Sequence, residues 1–327
     1  MEGALHLPGT VVTPDAHTRR QILKAAIGGA AGLVLGVPVR GLAAAAQTAA
    51  PVYVTQQLSD DLFLIRPPGE ANVLAQAGSG GVLLVDGGSA TAADALIAHV
   101  IGRPGGGPVH TIFNTHWHPE QTGSNERLGK SGATIIAQEN TKLWLSTDVT
   151  WSWNGKRFNR LPKIAQPNKT FYTTGKLELP ADSVIQYGYI PDAAHTDGDL
   201  YVYFPKQNVL AVGDVVSGDG WPVVDWQTGG WIGGIVGGLQ RLQTIANADT
   251  KIVPGRGPVL TLADIKKQTE MYGEIYNRLS QMLNKGRGPT EAVEAKPTKE
   301  FDAVMGNGDE FVRRSFESLW AYLSPDA

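Results

Sequence analysis

Short apolar runs broken by glycine-rich turns and followed by helical stretches occur twice along the chain, and this doubled pattern constrains the fold more than any other feature. Residues 52–57, 62–66 and 72–76 alternate like strands, Gly78-Ser79-Gly80-Gly81 closes a hairpin, and 82–86 returns as a buried strand. Ala92, Ala93, Leu96, Ile97, Val100 and Ile101 recur at helical spacing, after which 109–114 and 134–137 read as further strands. The second half repeats the theme, with strands at 184–190, 199–204, 208–212 and 251–253 and helices at 231–245 and 263–283. Forty glycines among 327 residues suit many short elements better than a helical bundle. We expect one catalytic-size domain over 52–283. A polar, Gly/Pro-punctuated connector begins at 284 and leads into a helix over 309–323 that packs on the domain. Gly233-Gly234 and Gly237-Gly238 lack the Lys-Ser/Thr that would complete a phosphate-binding loop and read instead as close helix packing.

A chain with 42% hydrophobic residues, 18% charged residues and a net charge of −3 has the composition of a globular protein and lacks the basic signature of nucleic-acid binding. The sequence contains no cysteine, which excludes disulfides, a thiol nucleophile and a cysteine-based zinc ribbon. Metal chemistry, if present, is therefore the chemistry of histidine and carboxylates.

The first 46 residues read as an address. Arg19-Arg20 lies in Thr18-Arg19-Arg20-Gln21-Ile22-Leu23-Lys24, ahead of an apolar run over 25–39 softened by Gly and Ala, and small residues up to Ala46 supply a cleavage site. That pattern looks like a twin-arginine (Tat) signal. It implies engagement of the Tat export machinery, a periplasmic or secreted mature chain and no stable membrane insertion of that chain, since the run is shorter than the ~20 apolar residues a bilayer requires.

Five histidines follow this segment. His99 lies on the face of the first helical stretch and His110 opens a strand, and both read as structural. His116-Trp117-His118 follows a strand, and in extended backbone residues i and i+2 project to one side, so two imidazoles can share an ion. A catalytic zinc takes three protein ligands and leaves a position open, and His195 is the good candidate for the third.

The series Asn114-Thr115-His116-Trp117-His118-Pro119-Glu120-Gln121, Ala194-His195-Thr196-Asp197-Gly198, Val212-Gly213-Asp214 and Pro254-Gly255-Arg256-Gly257 resembles the motifs of the metallo-β-lactamase superfamily over residues 55–260 or so. Val85-Asp86-Gly87-Gly88 is similar to the family's strand-end aspartate segment. The resemblance implies an α/β fold, a four-layer αβ/βα sandwich with the site at one sheet edge. It implies that His116, His118 and His195 hold the first metal, that Asp214 bridges toward a second, and that Asp86 supports them from behind. Three positions depart from the pattern. The family usually writes H-x-H-x-D-H where this chain has Glu120 and Gln121, and P-G-H-G where it has Arg256. A guanidinium is always charged and has no lone pair to give a metal, so Arg256 should exclude the second ion and pair instead with Asp214 and Glu120, its remaining donors facing a substrate anion.

The expected protein is thus a hydrolase with one Zn2+ per chain, acting on a small-molecule ester, lactone, thioester or lactam, with Glu120 or Asp214 orienting water and Glu120 the favoured base. Arg256, Gln121, Trp221 and Trp226 are candidate substrate contacts, the two tryptophans because they sit in a loop beside Gly220 and Pro222. Two other readings stay open: a mononuclear Fe2+ dioxygenase on the same fold, using two histidines and Asp214, and a non-catalytic periplasmic ligand-binding protein.

Overall fold

The computed structural model describes residues 53–67, 69–180 and 183–323, so the export-signal segment lies outside the described residues. Strands β1 (Val54–Gln57), β2 (Leu62–Arg66), β3 (Val73–Gly78) and β4 (Gly81–Val85) form an antiparallel meander. Helix α1 (Ala93–Ile101) then crosses to β5 (Val109–Phe113), which runs parallel to β4. Short helices α2 (Pro119–Thr122) and α3 (Asn125–Lys130) lead to β6 (Thr134–Gln138), followed by α4 (Glu139–Leu145), the small hairpin of β7 (Val149–Thr150) and β8 (Arg157–Phe158), and β9 (Lys169–Phe171). The first sheet has the order β1-β2-β3-β4-β5-β6-β9. The second contains β10 (Thr174–Leu179), β11 (Ser183–Tyr189), β12 (Leu200–Phe204), β13 (Val209–Gly213) and β14 (Lys251–Pro254) in sequential order. Helices α5 (Ile232–Gln243), α6 (Leu262–Asn284), α7 (Pro289–Glu294), α8 (Asp302–Met305) and α9 (Asp309–Leu323) complete the chain.

Strand periodicity dictates the layers. In β4, Leu83 and Val85 point between the sheets and meet Ile185, Val202 and Ala211, whereas Val82 and Leu84 point outward and pack on Leu96 and Val100 of α1. On the far side Leu210, Val212 and Ile252 meet Ile235 and Leu239 of α5 and Ile275 and Leu279 of α6. The result is the four-layer αβ/βα sandwich. The glycine pairs of α5 do what their spacing suggested: a Cβ at Gly234 would lie 2.2 Å from the carbonyl oxygens of Asp192 and Ala193, so only glycine lets the helix press against the segment that carries His195.

Two features go beyond the sequence reading. The 285–299 connector contains α7, with Ala292 buried, and the last helix is an integral part of the outer layer, where Phe311, Phe316 and Leu319 share a core with Tyr272 and Ile275. Phe316→Ala is expected to cost about 3–5 kcal/mol of unfolding free energy, the range for emptying a buried aromatic site, measured by urea denaturation at neutral pH. A loss within ~1 kcal/mol would show that α9 docks only loosely.

Asp61 fastens the two sheets at the edge where the β3–β4 turn lies. Its carboxylate accepts from Ser59 Oγ (2.8 Å), Gln76 Nε2 (3.1 Å) and, across the sheets, Gln207 Nε2 (2.8 Å). Burial pushes the carboxyl up, but the bonds from Gln207, Gln76 and Ser59 outweigh it and hold the group below its ordinary range. A depressed folded pKa stabilises the protein above the unfolded value, and that stability disappears as pH falls through the carboxylate range. Asp61→Asn should therefore lose about 1–2 kcal/mol at pH 7, a figure reduced for partial exposure, and progressively less as pH falls through the carboxylate range. A loss that does not change with pH would point to shape rather than charge.

Candidate metal centre

The loops that follow β4, β5, β13 and β14 and the loop between β11 and β12 gather at one edge of the sandwich. Asp86 follows β4 in a left-handed conformation (φ 62°) and accepts from Thr115 N and Thr115 Oγ1, both at 2.8 Å, which fixes the chain just after β5. Asn114 and Asn125 exchange side-chain bonds of 2.8 and 3.0 Å and tie the same segment to α3. On the other sheet, Asp199 accepts from the backbone N–H groups of His195 (2.7 Å) and Thr196 (2.8 Å), forming the tight loop that presents His195. A Cβ at Gly255 would fall within 1.8 Å of Asp214 Oδ1, so glycine there makes room for that carboxylate.

His116, His118, His195 and Asp214 converge, each offering one ligand atom within 4.8 Å of the others. The three imidazoles are buried. His118 Nδ1 stands 3.1 Å from both His116 Nε2 and His195 Nε2, and Asp214 Oδ2 lies 3.8 and 3.9 Å from the latter two.

The outer ring nitrogens reveal what the inner ones carry, with tautomers assigned from their partners. His195 Nδ1 lies 2.6 Å from the carbonyl oxygen of Val223, which can only accept, so that nitrogen bears the proton. His118 Nε2 lies 3.0 Å from Asp225 Oδ2. Burial works against ionisation of Asp225, but the His118 ring and the Thr228 hydroxyl outweigh it and hold the carboxyl low. Hence His118 Nε2 donates. With Thr115 Oγ1 donating to Asp86, its lone pair faces His116 Nδ1 at 3.1 Å. Three bare lone pairs therefore point at one spot. Burial, reinforced by His195, His118 and Arg256, holds His116 well below its usual pKa, so a proton is a poor occupant of that spot. A divalent cation is a good one, and imidazoles anchored through their second nitrogen are the usual form of such ligands.

The remaining expected residues separate. Glu120 and Arg256 form an ion pair (Oε1–Nη2 3.6 Å) in the small cleft over the cluster. Asp214, expected as Arg256's second partner, instead accepts from Gln121 Nε2 at 3.4 Å. Gln121 is fully buried and Trp226 is turned away, its indole donating to Glu317 (3.1 Å), so neither lines the cleft. Trp221 does line it, and so does Trp151, whose ring meets His118 edge-on at 5.3 Å. Trp226 failed as a pocket candidate because its partner lies 91 residues away in α9, beyond any local signal. Asp225 was missed for a similar reason, being a single aspartate in a stretch noted only for its aromatics. Asn72 was missed too: its side chain donates to Pro254 O (2.8 Å) and Gly257 O (3.0 Å) and so holds the Arg256 loop from the opposite sheet.

Asp225→Asn keeps the shape but removes the charge behind His118. Metal affinity should fall about ten- to a hundredfold, the usual effect of such supporting groups, measured by competition with a chromophoric chelator. An unchanged affinity would mean that His118 does not ligate.

An αβ/βα sandwich with a His/Asp metal-binding group at one sheet edge, its three imidazoles buried, defines a hydrolase-like fold. The chain belongs to the metallo-beta-lactamase superfamily, whose family model matches residues 66–268. Among solved structures it is similar to a metallo-beta-lactamase from Pontibacter korlensis (TM-score 0.55, 18% identity, covering 68% of this chain and 99% of that one). It is also similar to the stereoselective inverting sec-alkylsulfatase Pisa1 from Pseudomonas sp. (TM-score 0.62, 13% identity), covering 84% of this chain but only 51% of that protein. The DIM-1 metallo-beta-lactamase aligns with a TM-score of 0.51 at 20% identity, covering 68% of this chain and 98% of that one. No curated protein matches the sequence.

Proposed function

We propose that the protein is a hydrolase using a single zinc held by His116, His118 and His195, and that it acts on small esters, lactones, thioesters or lactams. The observation that carries this reading is the convergence of three imidazole lone pairs whose outer N–H groups are already committed to Val223, Asp225 and Thr115. Zinc in such a set supplies Lewis acidity and an activated water near neutral pH.

The chain's own groups do the rest. Asp225, Thr115 and the Val223 carbonyl keep the three rings aimed, and Asp214 places a carboxylate oxygen beside them. Glu120 faces the same cleft; burial raises its carboxyl, yet His118, its backbone bond, Arg256 and Lys156 hold it below the usual range, so it is an ionised proton acceptor at neutral pH. Arg256 positions Glu120 and has donors left for a substrate oxygen. Trp151 and Trp221 wall the cleft and limit access of bulk water. The Glu120–Arg256 pair and the Gln121 amide stand where the family's second-metal ligands belong, which favours one ion over two. We further propose that the chain is exported through its Tat-like segment and works in the periplasm or outside the cell.

The test is metal content per chain, by elemental mass spectrometry on protein exported by its own signal without added metal. One zinc is expected. Two ions would overturn the single-metal reading, one iron with oxygen consumption would replace hydrolysis by oxygen chemistry, and no uptake on titration would leave a binding protein.

A further inference from the structure

We propose that the substrate is an amphiphile, with its reacting carbonyl at the metal centre and its hydrocarbon tail in a groove built by α6 and the C-terminal segment; this rests on the hydrolase reading and names its substrate class. The cleft over the histidines encloses only about 100 Å3. Small-molecule sites usually span about 300–1,000 Å3, so this cleft holds a reacting group and little more. A second cavity of about 520 Å3 adjoins it, and the two share Ser217, Gly218 and Asp219 as a common wall.

That wall is a fixed saddle. Gln268 of α6 grips Ser217 from both sides, its Nε2 donating to Ser217 O (2.6 Å) and its Oε1 accepting from Ser217 N (3.2 Å). Trp221, which lines the cleft, donates its indole N–H to Gly306 O (2.8 Å) on the groove side and stacks on Phe311 at 4.7 Å. The cleft and the groove are therefore held together by the same side chains.

The groove's chemistry points to an apolar occupant. Leu260, Met271 and Phe301 form its half-buried floor over the outer core, and Val304 stands 87% exposed at its rim. Three of its polar side chains are committed: Gln268 to Ser217, Asp264 to Thr261 in the cap of α6, and Glu300 to Arg278 at 2.6 Å. Asp219 on the shared wall and Lys267 keep their charges, so a tail covers the apolar floor while those two groups stay in water. A free-standing surface patch of this kind would not identify its occupant; adjacency to the reacting site across the Ser217–Asp219 wall does, because it lets one molecule reach from the groove to the cleft.

Each methylene that leaves water fully is worth about a fourfold gain in binding, and about twofold when half covered in an open groove. The kcat/KM of the mature protein should therefore rise about twofold per methylene across p-nitrophenyl esters from acetyl to decanoyl. Val304→Asp, a surface change, should reduce the decanoyl-to-acetyl ratio at least fivefold, while Val54→Asp, also exposed but on β1, should keep the parent ratio. A flat series, or a Val304→Asp chain with the parent slope, overturns the proposal. If no ester of any length is cleaved, ester hydrolysis drops out of the proposed function, and calorimetry decides the groove separately. Decanoate should then bind more tightly than butyrate with a negative heat-capacity change and lose at least fivefold in affinity in Val304→Asp; equal binding of the two acids, or no effect of the substitution, overturns it.

Discussion

A His116→Ala chain is expected to fold, to purify without its metal and to lose at least about three orders of magnitude in hydrolytic kcat/KM, since the ion's contribution of several kcal/mol corresponds to that factor. The reasoning is geometric. His116 Nε2 and His195 Nε2 approach His118 Nδ1 equally, at 3.1 Å, so the site has no redundant imidazole: without His116, two nitrogens and one carboxylate remain, and the ion loses a third of its imidazole field. The fold has other anchors at this edge. Asp86 still receives Thr115 N, and Asn114 still pairs with Asn125, neither bond passing through the His116 ring. His110→Ala is the control, because His110 lies on β5 of the same sheet and its ring bonds Thr111 Oγ1 rather than the metal cluster, so it should keep both metal and rate. Full turnover in His116→Ala, with folding verified by circular dichroism, would remove the metal from the mechanism.

What could be read from residues alone follows from how local each signal is. β4 is buried along all five positions, and its apolar run marks it at once. β9 and β10 went unread because each lies at a sheet edge and carries Lys or Glu outward, leaving too few apolar positions to set a period. The three histidines and Asp214 were legible because each closes a strand or a tight loop with its own motif. Asp225 was not, because its role exists only when His118, 107 residues earlier, is brought beside it. The tryptophans divide on the same ground: Trp221 and Trp151 line the cleft, the latter edge-on to His118, whereas Trp226 is drawn away by Glu317. Composition marks an aromatic as a large surface, and only tertiary packing decides which surface it covers. The groove along α6 was invisible for that reason too, since its floor draws on Leu260, Met271 and Phe301, three residues with no shared pattern.

Restoring the family's usual ligands should change the stoichiometry. The chain carrying Glu120→Asp, Gln121→His and Arg256→His together is expected to bind two ions where the parent is expected to bind one. Arg256 contributes a permanent positive charge 3.6 Å from Glu120 and can donate to no metal. Its partner is thereby neutralised at the place where a second cation would need negative charge. Gln121 adds a second obstacle: its amide nitrogen faces Asp214 Oδ2 at 3.4 Å and turns a donor toward the oxygen that would bridge two ions. Arg256→His alone should therefore stay at one ion, because the amide still occupies Asp214, and only the combined change supplies two imidazoles, an unpaired carboxylate and a released bridging oxygen. Elemental analysis after equilibration with zinc and desalting reads the result directly. A parent with two ions, or a folded triple variant that still holds one, would show that Arg256 and Gln121 do not set the metal count.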